Sequence, residues 1–264
     1  MPEGHTIHRI AKDHTPLLAG QQVRVSSPQG RFEADAALVD GTTLERIEAY
    51  GKHLFYWYSN GRVGHVHLGL FGKFRVYKGD LTHEPVGQVR MRMQSALGTV
   101  DLAGPTDCSI GTIDDRDAIV ARLGPDPLRR DAKPAVAKAR LQKSSQPIGQ
   151  LLLDQKVLAG VGNVYRAEAL FVNGIHPERP GRELVDIELD ALWVTIVSML
   201  KQGVKDNRIV TVDRRERPAG NGGNRRGKNT YVYKREHCLR CASEVQAVTL
   251  GGRPCYFCPT CQPS

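Results

Sequence analysis

Long apolar runs are missing from this 264-residue sequence. The longest, Ala191 to Leu200, falls well short of the ~20 residues needed to cross a bilayer, which excludes a membrane-spanning helix. Acidic residues are also in deficit, 28 Asp and Glu against 37 Lys and Arg, giving a net charge of +9. That balance disfavours a cationic partner and favours an anionic one, nucleic acid or a membrane surface, without fixing a fold. Cysteine is scarce, six in all. Four of the six form two CxxC pairs close to the end, which reads as metal ligation in a reducing compartment and argues against a disulfide framework. No internal repeat is visible. Hydrophobic residues at 40% and charged residues at 25% argue against disorder or a fibrous chain. The N-terminal residues carry charges through a helical pattern instead of an apolar leader, so a soluble, cytoplasmic protein is expected.

What is present is unevenly distributed. From Lys201 to Arg240 there are twelve Lys and Arg against four Asp and Glu, so this stretch holds +8 of the net charge. Ile7, Ile10, Ala11, His14, Leu17 and Leu18 recur at helical spacing and predict a helix over 6–18. Leu54 to Tyr58 and Val63 to Phe74 flank Ser59-Asn60-Gly61 as a hairpin, and Val89, Met91 and Met93 alternate with polar residues, so an antiparallel β body follows the helix. Leu123-Gly124-Pro125-Asp126-Pro127 and Lys133-Pro134 interrupt regular structure and are read as an interdomain linker over 123–134. Beyond it the period becomes helical, with helices predicted over 148–158, 164–171 and 184–200. Residues 213–229 are Arg, Gly and Asn with almost nothing apolar, a mobile basic loop. The domains expected are 1–122, 135–226 and a cysteine hairpin at 227–264.

Cys238-x-x-Cys241 and Cys258-x-x-Cys261 carry the strongest chemical signal. Two such knuckles can place four thiolates around one tetrahedral Zn²⁺ with no open position, a structural site. A hairpin this short has little core without it. Cys108 and Cys255 fall outside the pattern and read as buried small residues. Gly251-Gly252-Arg253 marks a turn that presents Arg253, either as a phosphate grip or as an ordinary solvated side chain. Gly160-Val161-Gly162-Asn163 opens a helix with Asn163 at the N-cap, either a phosphate cradle or a capped helical corner. At the terminus, Met before Pro is commonly removed, which exposes a secondary amine. An α-amino group has a pKa of roughly 8 against about 10.4 for lysine, so more of it is neutral and nucleophilic. Its attack on a sugar C1′ gives an iminium ion, and Glu3 stands beside it as a general acid or base. His65 and His67 share a strand face and read as ordinary strand residues.

Together these segments resemble the formamidopyrimidine-DNA glycosylase/endonuclease VIII family: MPEG at the start, GKHLF in the first domain, LLLDQKVLAGVGNVYRAEALF in the helical part and CLRC…GGRPCYFCPTCQ at the end. The resemblance implies an α+β fold, an N-terminal antiparallel β-sandwich led by a helix, then a helix-two-turn-helix domain ending in a zinc β-hairpin. It further implies a base-excision-repair glycosylase and AP lyase. In it Pro2 is the Schiff-base nucleophile, Glu3 the acid/base and Lys52 an aid to β-elimination. Asn163 and Arg253 grip the phosphates, Arg253 also serves δ-elimination, and Arg122 is a further DNA contact. Leu70 and Phe71 would plug the hole left by an extruded base. A polar residue often replaces Gly69 in endonuclease VIII, so one base contact is expected to be absent here. The implied partner is damaged double-stranded DNA, with single-stranded DNA a second substrate, and the chain is expected to act as a monomer. The endonuclease VIII branch, cutting oxidised pyrimidines, is the leading reading. The formamidopyrimidine branch, cutting oxidised purines, and a catalytically silent DNA-binding protein stand as alternatives.

Overall fold

The computed structural model describes residues 2–79, 82–216 and 229–264. The chain divides into two compact units, Met1–Arg122 and Leu123–Ser264.

In the first unit, α1 (Gly4–Leu18) buries Ile7, Ala11, His14, Leu17 and Leu18 along one face, following the helical spacing. Two antiparallel sheets follow. One has the order β1 (Gln21–Gln22), β3 (Thr43–Tyr50), β4 (His53–Tyr58), β5 (Val63–His67), β9 (Asp107–Gly111); the other has β2 (Arg24–Ser26), β7 (Val89–Ser95), β8 (Gly98–Ala103), β6 (Lys73–Lys78). A single core joins them. Leu44, Leu54, Tyr56 and Val66 of one sheet pack with Val25, Met93, Val100 and Leu102 of the other and with the apolar face of α1. Short helices α2 (Glu33–Ala37) and α3 (Ile113–Ala121) complete the unit, the second opened by a Thr112–Asp115 capping box.

The single run predicted over 63–74 is two strands in different sheets. β5 ends at His67, a tight turn spans 68–72, and β6 pairs with β8. The glycines break it. Gly69 has φ +62, and any Cβ there would lie 1.8 Å from Thr106 Oγ1; at Gly72 a Cβ would lie 2.4 Å from the Leu68 carbonyl oxygen.

In the second unit, α4 (Pro134–Gln142), α5 (Ile148–Leu151), α6 (Asn163–Val172) and α7 (Asp186–Asp206) enclose a core of Leu152, Leu158, Tyr165, Leu170, Leu192 and Ile196. A two-stranded hairpin, β10 (Gln246–Leu250) and β11 (Arg253–Phe257), lies near the end. The helix predicted over 148–158 lasts one turn. Past it, side chains take over the hydrogen bonding: Asp154 accepts from the Lys156 amide, while Gln155 donates to the Leu153 and Val161 carbonyls and accepts from the Gly160 amide. The helix predicted over 184–200 is shifted to Asp186–Asp206, because the Glu188 carboxylate accepts from the Val185 amide and fixes the start there. Residues 124–127 are buried and bonded to the stretch after α5, with the Gly124 amide on the Gln155 carbonyl and the Ala159 amide on the Pro125 carbonyl. In the basic stretch Arg214–Glu216 form a single 3-10 turn, and 217–228 lie outside the described residues.

Candidate active site

Pro2 and Glu3 lead directly into α1. Glu3 is the N-cap residue, fully buried, with extended backbone, and its carbonyl oxygen accepts the Thr6 amide at 2.9 Å. Pro2, only partly covered, therefore sits at the positive end of the helix dipole, where a cation is disfavoured.

Lys52 occupies the two-residue turn between β3 and β4, whose flanking residues Tyr50 and His53 pair. Gly51 takes φ 57 and Lys52 does not go left-handed, the II′ arrangement in which glycine comes first. His53 then lies opposite His67 and stacks on His65, with His53 Nδ1 and His65 Nε2 2.9 Å apart and His65 Nδ1 3.4 Å from Asp107 Oδ2. Burial pushes the His53 imidazole down to about 3, aided by His65, His67, Arg122 and Lys52. Burial also lowers His65 and His67. The rings are neutral near pH 7, so the positive charge around His53 belongs to Lys52 and Arg122. His53 makes this a three-histidine cluster, which sequence reading missed because the third ring comes from the neighbouring strand.

The 68–72 turn holds Leu70 and Phe71 clear of the core, 58% and 83% exposed. At Gly69 the same geometry gives a steric reason for glycine, independent of any base contact.

In the second unit every residue from Asn163 to Phe171 is buried. The expected N-cap placement of Asn163 is corrected: Gly162 is the N-cap and Asn163 the first helical residue. Its Nδ2 donates to the Pro254 carbonyl at 3.0 Å, which takes the side chain off its own helix end and onto β11. Arg166 donates to the carbonyls of Gly149, Leu250 and Arg253. The Glu168 carboxylate accepts the amides of Tyr231, Val232 and Tyr233 and the Thr211 hydroxyl. Burial raises its pKa, opposed by those donors. Arg166 and Glu168 escaped sequence reading because charged residues within a short helical run look like its solvated face. Arg253, exposed, opens β11 opposite Leu250 across the turn Gly251-Gly252, both at positive φ.

Cys238, Cys241, Cys258 and Cys261 bring their sulfurs within 4.8 Å of one another, with Cys241 3.4 Å from Cys258 and 3.5 Å from Cys261, and Cys238 4.0 Å from Cys261. A tetrahedral ion with metal–sulfur bonds of ~2.3 Å requires an edge of about 3.8 Å, so the four thiols fit one metal ion. Buried Gln262 supports the second knuckle, accepting the Cys258 amide and donating to the Ile175 carbonyl. Cys108 and Cys255 lie outside the cluster, and burial pushes their thiols up to about 12 and about 11.

Comparison with known proteins gives a consistent result. The formamidopyrimidine-DNA glycosylase N-terminal domain matches residues 1–104, and the formamidopyrimidine-DNA glycosylase H2TH domain matches 123–214. The chain belongs to the formamidopyrimidine-DNA glycosylase family. As a member it is a DNA glycosylase of base excision repair. Endonuclease 8 1 of Mycobacterium tuberculosis is 49% identical, covering 99% of this chain and 100% of the relative. A formamidopyrimidine-DNA glycosylase of Gloeobacter violaceus is 30% identical, covering 99% and 96%. The Lactococcus lactis Fpg solved with DNA containing an abasic site has the same fold, at a TM-score of 0.82, 24% identity and coverage of 99% and 100%. No described helix of this family member is long and apolar enough to cross a membrane.

Proposed function

We propose that this glycosylase is also an AP lyase, that it excises oxidised pyrimidines from damaged DNA, and that Pro2 is its nucleophile. The observation that carries the reading is the placement of Pro2 at the head of α1 with the buried carboxyl-bearing Glu3 immediately behind it. Once the methionine is removed, the dipole of α1 favours the neutral amine, and the lone pair attacks C1′ of an extruded nucleotide. The amine loses its proton, the base leaves with its bonding pair and takes up a proton, and Glu3 protonates the sugar ring oxygen as the ring opens. The resulting iminium draws electrons from C2′. Loss of a C2′ proton expels the 3′ phosphate, and loss of a C4′ proton then expels the 5′ phosphate.

Lys52 and Arg122, the cations around His53, hold backbone phosphates, as do Asn163 and Arg253 in the second unit. Leu70 and Phe71 fill the gap in the duplex. The four cysteines hold Zn²⁺, which as a closed four-sulfur site supplies stability to the hairpin and no reaction step. The preference for pyrimidines is favoured by 49% identity to Endonuclease 8 1 along nearly the whole chain. The test is a panel of duplexes carrying thymine glycol, 5-hydroxyuracil or 8-oxoguanine. The pyrimidine lesions are expected to be cut fastest, and much faster cutting of 8-oxoguanine opposite cytosine would transfer the protein to the purine branch.

A further inference from the structure

Nothing in the proposed reaction uses Arg166, yet its guanidinium is completely buried. It donates through Nη1 to the carbonyls of Gly149 at 2.8 Å and Leu250 at 3.0 Å, and through Nη2 to that of Arg253 at 2.9 Å. Leu250 and Arg253 are the pair that closes the Gly251-Gly252 turn, so one rigid fork holds both ends of that turn and ties them to α5. The third partner is held tightly too. A Cβ on Gly149 would lie 2.8 Å from Leu250 Cδ1 and 3.0 Å from the Pro177 carbonyl, so α5 and β10 touch where the fork bridges them. One turn earlier on the same helix, Asn163 bonds the Pro254 carbonyl, the next residue along β11.

We infer that Arg166 is a positioning residue that fixes the direction in which the Arg253 side chain leaves the hairpin, and through it the efficiency of δ-elimination. This rests on the phosphate and δ-elimination role given to Arg253 above. Burying a guanidinium is costly, and a hydrophobic residue of similar volume would serve packing alone at least as well. A planar fork on backbone carbonyls supplies direction that such a residue lacks.

The experiment compares Arg166→Met, Arg166→Lys, Arg253→Ala and the Arg166→Met/Arg253→Ala double variant, with β- and δ-elimination products of an abasic duplex resolved in single turnover. Zinc content and thermal unfolding are followed in parallel. Arg253→Ala is expected to cut δ-elimination more deeply than base release, which also draws on its phosphate grip, and Arg166→Met to show the same bias with zinc retained, its δ-elimination falling by up to ~100-fold, the scale of a misplacement of about 1 Å. Arg166→Lys, with a point charge in place of the fork, is expected to restore only part of the loss. The double variant should be no worse than Arg253→Ala, since the two losses share one side chain. If Arg166→Met matches the wild type, or its loss multiplies with that of Arg253→Ala, the inference fails and the role of Arg253 stands. If Arg253→Ala itself matches the wild type, the role of Arg253 fails and the inference with it. Should the Met variant not fold, the Lys variant decides, because wild-type δ-elimination in a folded Lys protein overturns the inference.

Discussion

Phe71→Ala separates a side chain that serves folding from one that serves DNA. At 83% exposure, Phe71 has little buried area to lose, so the folded protein should change in stability by no more than about 0.5 kcal/mol. Its neighbour Phe74, half-buried against the core and edge-on to His14 at 4.7 Å, belongs to the opposite class. If Phe71 enters the stack when a base is extruded, it gains the burial of a phenyl ring, ~1.5–3 kcal/mol, comparable with ~1–3 kcal/mol for a stacked base. Losing 2 to 3 kcal/mol corresponds to a fall of about 30- to 150-fold in the rate of excision. The assay is single-turnover excision from a duplex, alongside thermal unfolding and the same lesion in a single strand, where no hole needs filling. Excision from the duplex should collapse, while single-strand excision and melting temperature hold. A melting loss in the ~3–5 kcal/mol range of a core phenylalanine, or equal losses on both substrates, would refute the assignment.

Gly69→Ala should destabilise the first unit by ~1–3 kcal/mol, because its Cβ would lie 1.8 Å from Thr106 Oγ1 at a φ of +62. Adding Thr106→Ala should recover part of that loss in denaturant titrations; no recovery would mean that the clash is not its source. His14 is buried beside the Tyr56 hydroxyl at 2.8 Å, and burial lowers its pKa to about 4 from an ordinary 6.5. The unfolded chain then binds the extra proton, so stability should fall as pH drops from about 6.5 to about 4, by up to ~3 kcal/mol from this residue. His14→Gln should flatten that slope, and an unchanged slope would remove His14 as its cause. Cys258→Ser should lose zinc and sharply weaken DNA binding while the β unit still unfolds cooperatively, as read by metal analysis, fluorescence anisotropy and calorimetry. Undiminished binding with one zinc still present would contradict it.

How legible all this was in the sequence depended on what each residue contacts. The apolar stripe of α1 repeats at helical spacing because a single face meets the sheets, so it could be read directly. The CxxC knuckles were equally plain, since metal ligation imposes spacing on the chain itself. Lys52 was marked only by the likeness of GKHLF to the family, and the turn that Gly51 opens at positive φ emerged with the structure. The polar residues of α6 gave less: the glycines before Asn163 marked a helix start, but its bond to Pro254 and those of Arg166 and Glu168 reach segments far along the chain, and nothing in the local pattern distinguishes a buried Arg from a solvated one. The break at Gly69 was hidden for a similar reason, because the atom that forbids a side chain there belongs to Thr106. His53 joined His65 and His67 only once strand register was known.

Every step of the proposed reaction depends on a bond between the nitrogen of residue two and the sugar. Borohydride reduction of the processed protein mixed with an abasic duplex, followed by digestion and peptide mass spectrometry, tests it directly. The sugar remnant should be found on Pro2, and Pro2→Gly should abolish or redirect the trapped species. A remnant on Lys52 or any other lysine, or continued base release with no remnant at all, would contradict it.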